Sequence, residues 1–558
     1  MATATELRRE LSGVALPFAE PGAEPARRSV TSAVQQLDDY VVPRLSRLDA
    51  PALAVIGGST GAGKSTLVNS LIGAEVTRPG VLRPTTTSPV LVHHPDVASS
   101  FDDGRILGGL ARVSGGRAAG PGELEVVAST TLSSGLAVLD APDIDSVVDE
   151  NRRLAETLLE AADLWVFVTT AARYADAVPW RFLREAAGRG VVLALVINRI
   201  PPGATTEVTE HLQTMLASEG LDDAPLFAME EQALDEGRLP DRVVAPLRDW
   251  LERVASDQAV RAEVVRRTLA GAVGALADRS AEVAHALRSQ VRISDALNSS
   301  ATAPFELARE RLNDDVRDGT VLRGEVMARW ADLVGTGELL RQLQSTLGRW
   351  RDRLTAAVTG RPTSADRFEG AIEAGVETLV RARVAEATTA AADAWRAHPA
   401  GTELLADATT DLSRPSPDLP ERAEAMIRAW QAGLLELLRT EGADKRSTAR
   451  VLSYGVNGMA MVLMVATFAH TGGLTGAEVA IAGGSSAVGQ KLTEALLGDQ
   501  AVRRMATDAR ADLDRRFGVL LDREADRFRD QVAASGLDPD AADRLEALAD
   551  RLRRGLAR

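Results

Sequence analysis

The chain has 558 residues and a formal net charge of −15, with 45% apolar but only 4% aromatic residues. That length exceeds one ordinary domain, and the acidic balance argues against a generic binder of nucleic-acid phosphates, a local basic patch apart. With no cysteine there is no disulfide frame, thiolate metal site or thiol nucleophile. Ala, Leu, Arg, Asp and Glu dominate, which favours long helices over sheet, and no basic-then-apolar leader opens the chain, so secretion is not expected.

Residues 1–48 read as helical, with Leu37, Val41, Leu45 and Leu48 at three-to-four spacing. Pro51 breaks that pattern, and Ala52-Leu53-Ala54-Val55-Ile56 reads as a buried strand. Further apolar runs at 136–139, 164–169 and 191–197, each near a helical stretch or a glycine turn, predict a parallel α/β sheet over 49–250.

The first strand leads into Gly58-Ser59-Thr60-Gly61-Ala62-Gly63-Lys64-Ser65, and Thr66 begins a helix. Strand, glycine loop and helix N-terminus make a P-loop, whose backbone N–H groups wrap phosphates. Lys64 is placed to reach the β- and γ-phosphates of a nucleoside triphosphate, and the Ser65 hydroxyl to ligate Mg²⁺. Asp140, at the end of the strand Leu136-Ala137-Val138-Leu139, stands where an acidic residue holds Mg²⁺ through water. Between them lies Arg83-Pro84-Thr85-Thr86-Thr87. Thr86, ahead of Thr85, is the candidate for closing over the γ-phosphate and completing the metal shell; β-propensity alone is the other reading of three adjacent threonines.

A transporter-type ATPase is the first competitor, since Val113-Ser114-Gly115-Gly116-Arg117 imitates that class's signature. Too few residues separate it from the P-loop, no helix pattern follows it, and Ala141 stands where a catalytic Glu is needed. Asn198-Arg199-Ile200-Pro201, after a late strand, is the candidate base-reading segment, with Asn198 and Arg199 as its nucleotide-facing residues.

The P-loop, the threonine segment and Asp140-Ala141-Pro142-Asp143, in that order and before a long helical remainder, resemble the dynamin superfamily and bacterial dynamin-like proteins in particular. The motifs cover 57–145. The resemblance implies an α/β P-loop GTPase head followed by an extended all-α helical-bundle neck and trunk with an apolar helical hairpin, or paddle. On this plan 1–48 are N-terminal neck helices, 49–250 the GTPase domain, 251–450 neck and trunk, 451–490 the paddle, and 491–558 helices returning along trunk and neck. It further implies GTP as substrate, Mg²⁺, heads that self-associate, a second dynamin-like protein as partner, and no nucleic acid. Thr60 stands where the family places a water-orienting Gln, so Thr60, Lys64 and Thr86 are the candidate catalytic residues. Two departures bear on this: Asp143 replaces a Gly whose N–H meets the γ-phosphate, and Pro201 replaces the carboxylate that reads guanine.

From 251 onward helical patterns take over, with Val502, Met505, Ala509, Leu513, Phe517, Leu520, Phe528 and Val532 forming one stripe and Leu545, Leu548 and Leu552 another. Between Arg450 and Lys491 the only formal charge is Glu478. A helix over 451–469 would be about 28 Å long, just short of a bilayer's hydrocarbon core. Glycines at 472–473 signal a turn, and basic residues flank both ends. Val451, Met459, Leu463, Val465, Phe468, Leu474, Val479 and Ile481 are the candidate lipid-facing residues of a hairpin dipping into one anionic leaflet; a buried trunk hairpin is the alternative. The expected setting is cytoplasmic, peripheral to the inner face of the cell membrane. Two other readings remain open: an Era-like GTPase associated with ribosomes or RNA, and a nucleotide-binding scaffold with little turnover.

Overall fold

The computed structural model describes residues 1–48, 50–77, 88–101, 107, 110–114, 120, 122–145, 149–188, 190–318, 364–441, 463–464, 466–468 and 500–556. The chain forms two compact units, Met1–Leu16 with Pro21–Gln290 and Leu537–Arg558 in the first, and Pro17–Glu20 with Val291–Gly536 in the second. Its strands are β1 (Ala52–Gly58), β2 (Val90–His93), β3 (Ala111–Val113), β4 (Glu123–Ala128), β5 (Leu136–Asp140), β6 (Leu164–Thr170), β7 (Val192–Ile200) and β8 (Leu226–Glu230). Its helices in the first half are α1 (Ala2–Ser12), α2 (Ala23–Gln36), α3 (Val42–Ser46), α4 (Lys64–Ile72), α5 (Asp149–Glu160), α6 (Ala177–Gly188), α7 (Thr205–Ser218) and α8 (Asp241–Ser256). Then follow α9 (Gln258–Arg317), α10 (Ser364–Arg396), α11 (Pro399–Asp407), α12 (Leu419–Glu441), α13 (Gln500–Ala533) and α14 (Ala541–Leu556). An α/β head followed by a long helical region is thus the architecture.

The first unit is organised by one sheet of order β3-β4-β2-β5-β1-β6-β7-β8. Every residue of β1, β5 and β6 is buried, as continuous apolar runs in a sheet covered on both faces should be. Side chains alternate between two cores: Val55, Leu139, Trp165 and Phe167 enter one, while Ala54, Ile56, Val138 and Val166 enter the other.

The expected all-parallel sheet is corrected here. Strands β5, β1, β6, β7 and β8 are parallel, but β2 lies antiparallel to β5, and β4 and β3 follow the direction of β2. The three reversed strands are short, and β4 alternates in burial, so no long apolar run marks them in the sequence.

A third core of the same unit joins α1, α2, the start of α9 and α14, with Leu7, Leu11, Leu37, Leu276, Leu545 and Leu548 inside it. Arg544 of α14 adds a bond from Nε to Glu10 of α1 at 2.6 Å. Helices α2 and α3 are joined by a single π-turn, Leu37–Val41. From there Tyr40 and Arg44 reach Asp163, at the start of β6, which is 1% exposed. Arg44 Nε donates to its carboxylate at 2.8 Å, Tyr40 Oη at 3.1 Å and Leu53 N at 2.7 Å. A buried charge with this many donors is satisfied, and it pins the N-terminal helices to the sheet.

The second unit is all helical among its described residues. Its apolar stripe on α13 is buried as the spacing predicts, from Met505 through Val532. Trp395 packs edge-on against Phe528 at 5.1 Å and donates its indole N–H to Leu297 O, and Trp430 donates to Ala509 O at 2.9 Å. Glu524 is fully buried yet charged: it accepts from Ser416 N at 3.0 Å, from Arg527 at 2.9 Å, and from Ser416 Oγ and Arg422.

Of the candidate lipid-facing residues, Leu463 and Phe468 are 1% and 0% exposed, and Phe468 meets the Trp430 ring at 5.6 Å. Arg510 donates to the Ala466 and Thr467 carbonyls beside them. Those two side chains are bundle core in this conformation. Val451, Met459, Val465, Leu474, Val479 and Ile481 lie outside the described residues. Among the described residues no helix is long and apolar enough to cross a membrane.

Candidate nucleotide site

Strand β1 delivers the chain to the P-loop at Gly58, which has φ +144, and a Cβ there would collide with the Val168 carbonyl of β6. Only glycine permits that approach. Gly61 and Gly63 also have positive φ, and Gly63 caps the N-terminus of α4. Lys64 and Ser65 follow as the first residues of α4, at the positive end of its dipole.

Lys64 is 4% exposed on its side chain; Nζ donates to Gly58 O and Ser59 O at 3.1 Å each and forms an ion pair with Asp143. Asp143 is therefore not aimed at a phosphate position as a free charge; it is neutralised by the lysine. Ser65 Oγ donates to Asp140 Oδ2 at 2.7 Å. Asp140 is wholly buried, and its other oxygen accepts no hydrogen bond from the described residues. Burial pushes its carboxyl up to about 6, against the opposing pull of the Ser65 hydroxyl, the Lys64 charge and the nearby Thr77.

An orphaned carboxylate oxygen beside a serine hydroxyl fits a divalent cation, which neither group alone would hold. Among the described residues no group of three or more His, Cys, Asp or Glu gathers around a metal position. Mg²⁺ would thus take Ser65 and Asp140 from the protein and its remaining oxygens from phosphate and water. Thr86, the third expected metal residue, lies outside the described residues.

Thr60 is held by Asp145: its N–H and hydroxyl both donate to Oδ1 at 2.6 Å. Arg173, from the turn after β6, stands 2.7 Å from Asp145 and donates to Thr60 O at 3.1 Å. Burial pushes the Asp145 carboxyl up, but the Thr60 bonds and Arg173 outweigh it and hold it below the usual range. Asn198 turns inward. Its Nδ2 donates to Ala62 O at 2.9 Å and its Oδ1 accepts from Arg199 N at 2.9 Å, with Arg199 exposed at φ +54. The structure thus brings Gly58 to Thr66, Asp140 and Asn198 together. Asp145 and Arg173 are additions that no motif spacing announced.

No protein-family profile matches the chain. A stretch of 144 residues, 26% of this chain, is 28% identical to the Arabidopsis thaliana protein "Probable transmembrane GTPase FZO-like, chloroplastic", of whose length it spans only 14%. Two solved chains of an oligomerised bacterial dynamin pair, described as sensing and tethering membranes at long range, cover 99% of this chain and 94% of their own. Their TM-scores are 0.43 and 0.42, at 11% and 12% identity. In the order of its P-loop, its strand-terminal Asp140 and its helical remainder, this chain resembles the bacterial dynamin-like GTPases.

Proposed function

We propose that the protein is a dynamin-like GTPase that binds GTP with Mg²⁺, hydrolyses it, and couples pairing of its heads to membrane binding, remodelling or fusion and fission. The observation that carries this reading is the joint placement of Lys64, Ser65 and the buried, half-satisfied Asp140 at the N-terminus of α4. Lys64 binds and orients the β/γ-phosphates, and the loop amides wrap them. Asn198 holds the loop's shape through Ala62 O. Mg²⁺, when bound, offsets phosphate charge. Thr60 and Thr86 would orient the attacking water, which for Thr60 requires its hydroxyl to leave Asp145.

Likeness to membrane-associated GTPases supports the further expectations: an anionic leaflet as the surface bound, a second head or a second dynamin-like protein as partner, and a cytoplasmic protein at the inner face of the membrane. Nucleotide binding with little turnover is the second reading, favoured by the ion pair on Lys64 and by the Thr60 hydroxyl already bonded. Calorimetry on Lys64→Ala and Ser65→Ala tests the site. We expect Lys64→Ala to abolish GTP binding and Ser65→Ala to lose chiefly its Mg²⁺-dependent part; unchanged affinity in both would refute the assignment. Liposome flotation with and without GTP tests the membrane half.

A further inference from the structure

An ammonium has three N–H donors, and those of Lys64 are all engaged, by Gly58 O, Ser59 O and Asp143. In a P-loop this group faces the β- and γ-phosphates. Both partners of the ion pair are buried, with side chains 4% and 8% exposed. A charge so buried is retained only while paired, so whatever draws Lys64 away must also provide for Asp143. Two residues on, Asp145 grips Thr60, so one short turn after β5 holds the loop at its middle and at its lysine.

We propose that Asp143 sets which phosphate chain the site accepts: its carboxylate occupies the terminal-phosphate place on Lys64, and a nucleoside triphosphate binds by evicting it. The inference rests on the P-loop reading above and adds a selectivity to it. A γ-phosphate and the Asp143 carboxylate are two anions competing for one ammonium, and they also repel each other. A nucleoside diphosphate lacks the competing group and leaves the pair standing. The chain therefore favours diphosphate over triphosphate more than it would without this carboxylate, and the apparent triphosphate affinity is the intrinsic one multiplied by the fraction of molecules in which the pair is open.

The test is fluorescence titration of the full chain, wild type and Asp143→Asn, with methylanthraniloyl derivatives of GDP and of a non-hydrolysable GTP analogue in Mg²⁺ buffer. Removing the charge should tighten the triphosphate roughly ten-fold or more while GDP moves less than about three-fold. Unchanged or weaker triphosphate binding overturns the proposal, and would make Asp143 part of what holds the triphosphate. An equal gain for both nucleotides also overturns it, because the carboxylate would then not stand in the terminal-phosphate place. Thermal melting checks folding of the variant, and Asp143→Gly must give the same sign if the Asn variant does not fold. If neither wild type nor variant binds either nucleotide, the nucleotide-site reading itself falls; binding by wild type with no response in the variant sinks this inference alone.

Discussion

Asn198 shows how a distant strand residue can hold the P-loop in shape. Its amide closes on Ala62 O from β7, and a Cβ on Gly63 would come within 2.7 Å of the same nitrogen, so loop and amide are fitted to each other. Asn198→Ala removes one buried hydrogen bond and leaves a carbonyl unpaired, at a cost of about 1–2 kcal/mol. If that cost falls on the binding-ready loop, GTP affinity drops roughly ten-fold with little change in melting temperature, which calorimetry and a thermal melt on the same variant will read. Lys64 and Ser65 were legible in the sequence because contiguous spacing fixes their geometry, and Asp140 because it ends an apolar strand. Asp145 and Arg173 were not, since their role is defined only when the turn after β6 meets the loop after β1.

At the scale of elements, the buried stripe of α13 followed from its spacing, whereas the charge it hides did not. Burial pushes the Glu524 carboxyl up, but the two Ser416 donors, Arg422 and Arg527 prevail and hold it below the usual glutamate range. A carboxyl so held binds its proton less tightly when folded than when unfolded. Its contribution is therefore complete above the ordinary glutamate range and is lost as the pH falls through that range toward the lower folded value. We expect Glu524→Gln to destabilise the helical unit by roughly 3 kcal/mol near neutrality, since it removes the buried charge that Arg422 and Arg527 share, and to flatten the acid limb of its stability profile. Denaturant melts at several pH values measure both; a variant as stable as wild type at pH 7 would contradict the assignment. The reversed strands β2 and β3 escaped the sequence for the opposite reason, being too short for any periodicity to register.

For the molecule as a whole, the α/β head and the helical remainder were both legible from the change in pattern near residue 251. The interior position of Leu463 was not, because an apolar run reads alike whether lipid or protein covers it. Leu463→Asp forces a carboxylate into a site that is 1% exposed and costs roughly 2–7 kcal/mol. We expect a lowered melting temperature, with liposome co-sedimentation of the surviving folded fraction close to wild type. Wild-type melting with lost liposome binding would instead return Leu463 to the membrane surface.

The pairing of α1 with α14 has a further consequence, for the order of events during synthesis. Leu7 and Leu11 leave the ribosome more than 500 residues before the Leu545 and Leu548 that share their core. At about 5–20 residues per second that interval is on the order of a minute. Throughout it the neighbouring sheet can form while α1 keeps part of its apolar face uncovered. A nascent chain stalled between α1 and α14 thus exposes apolar surface that only the later helix covers.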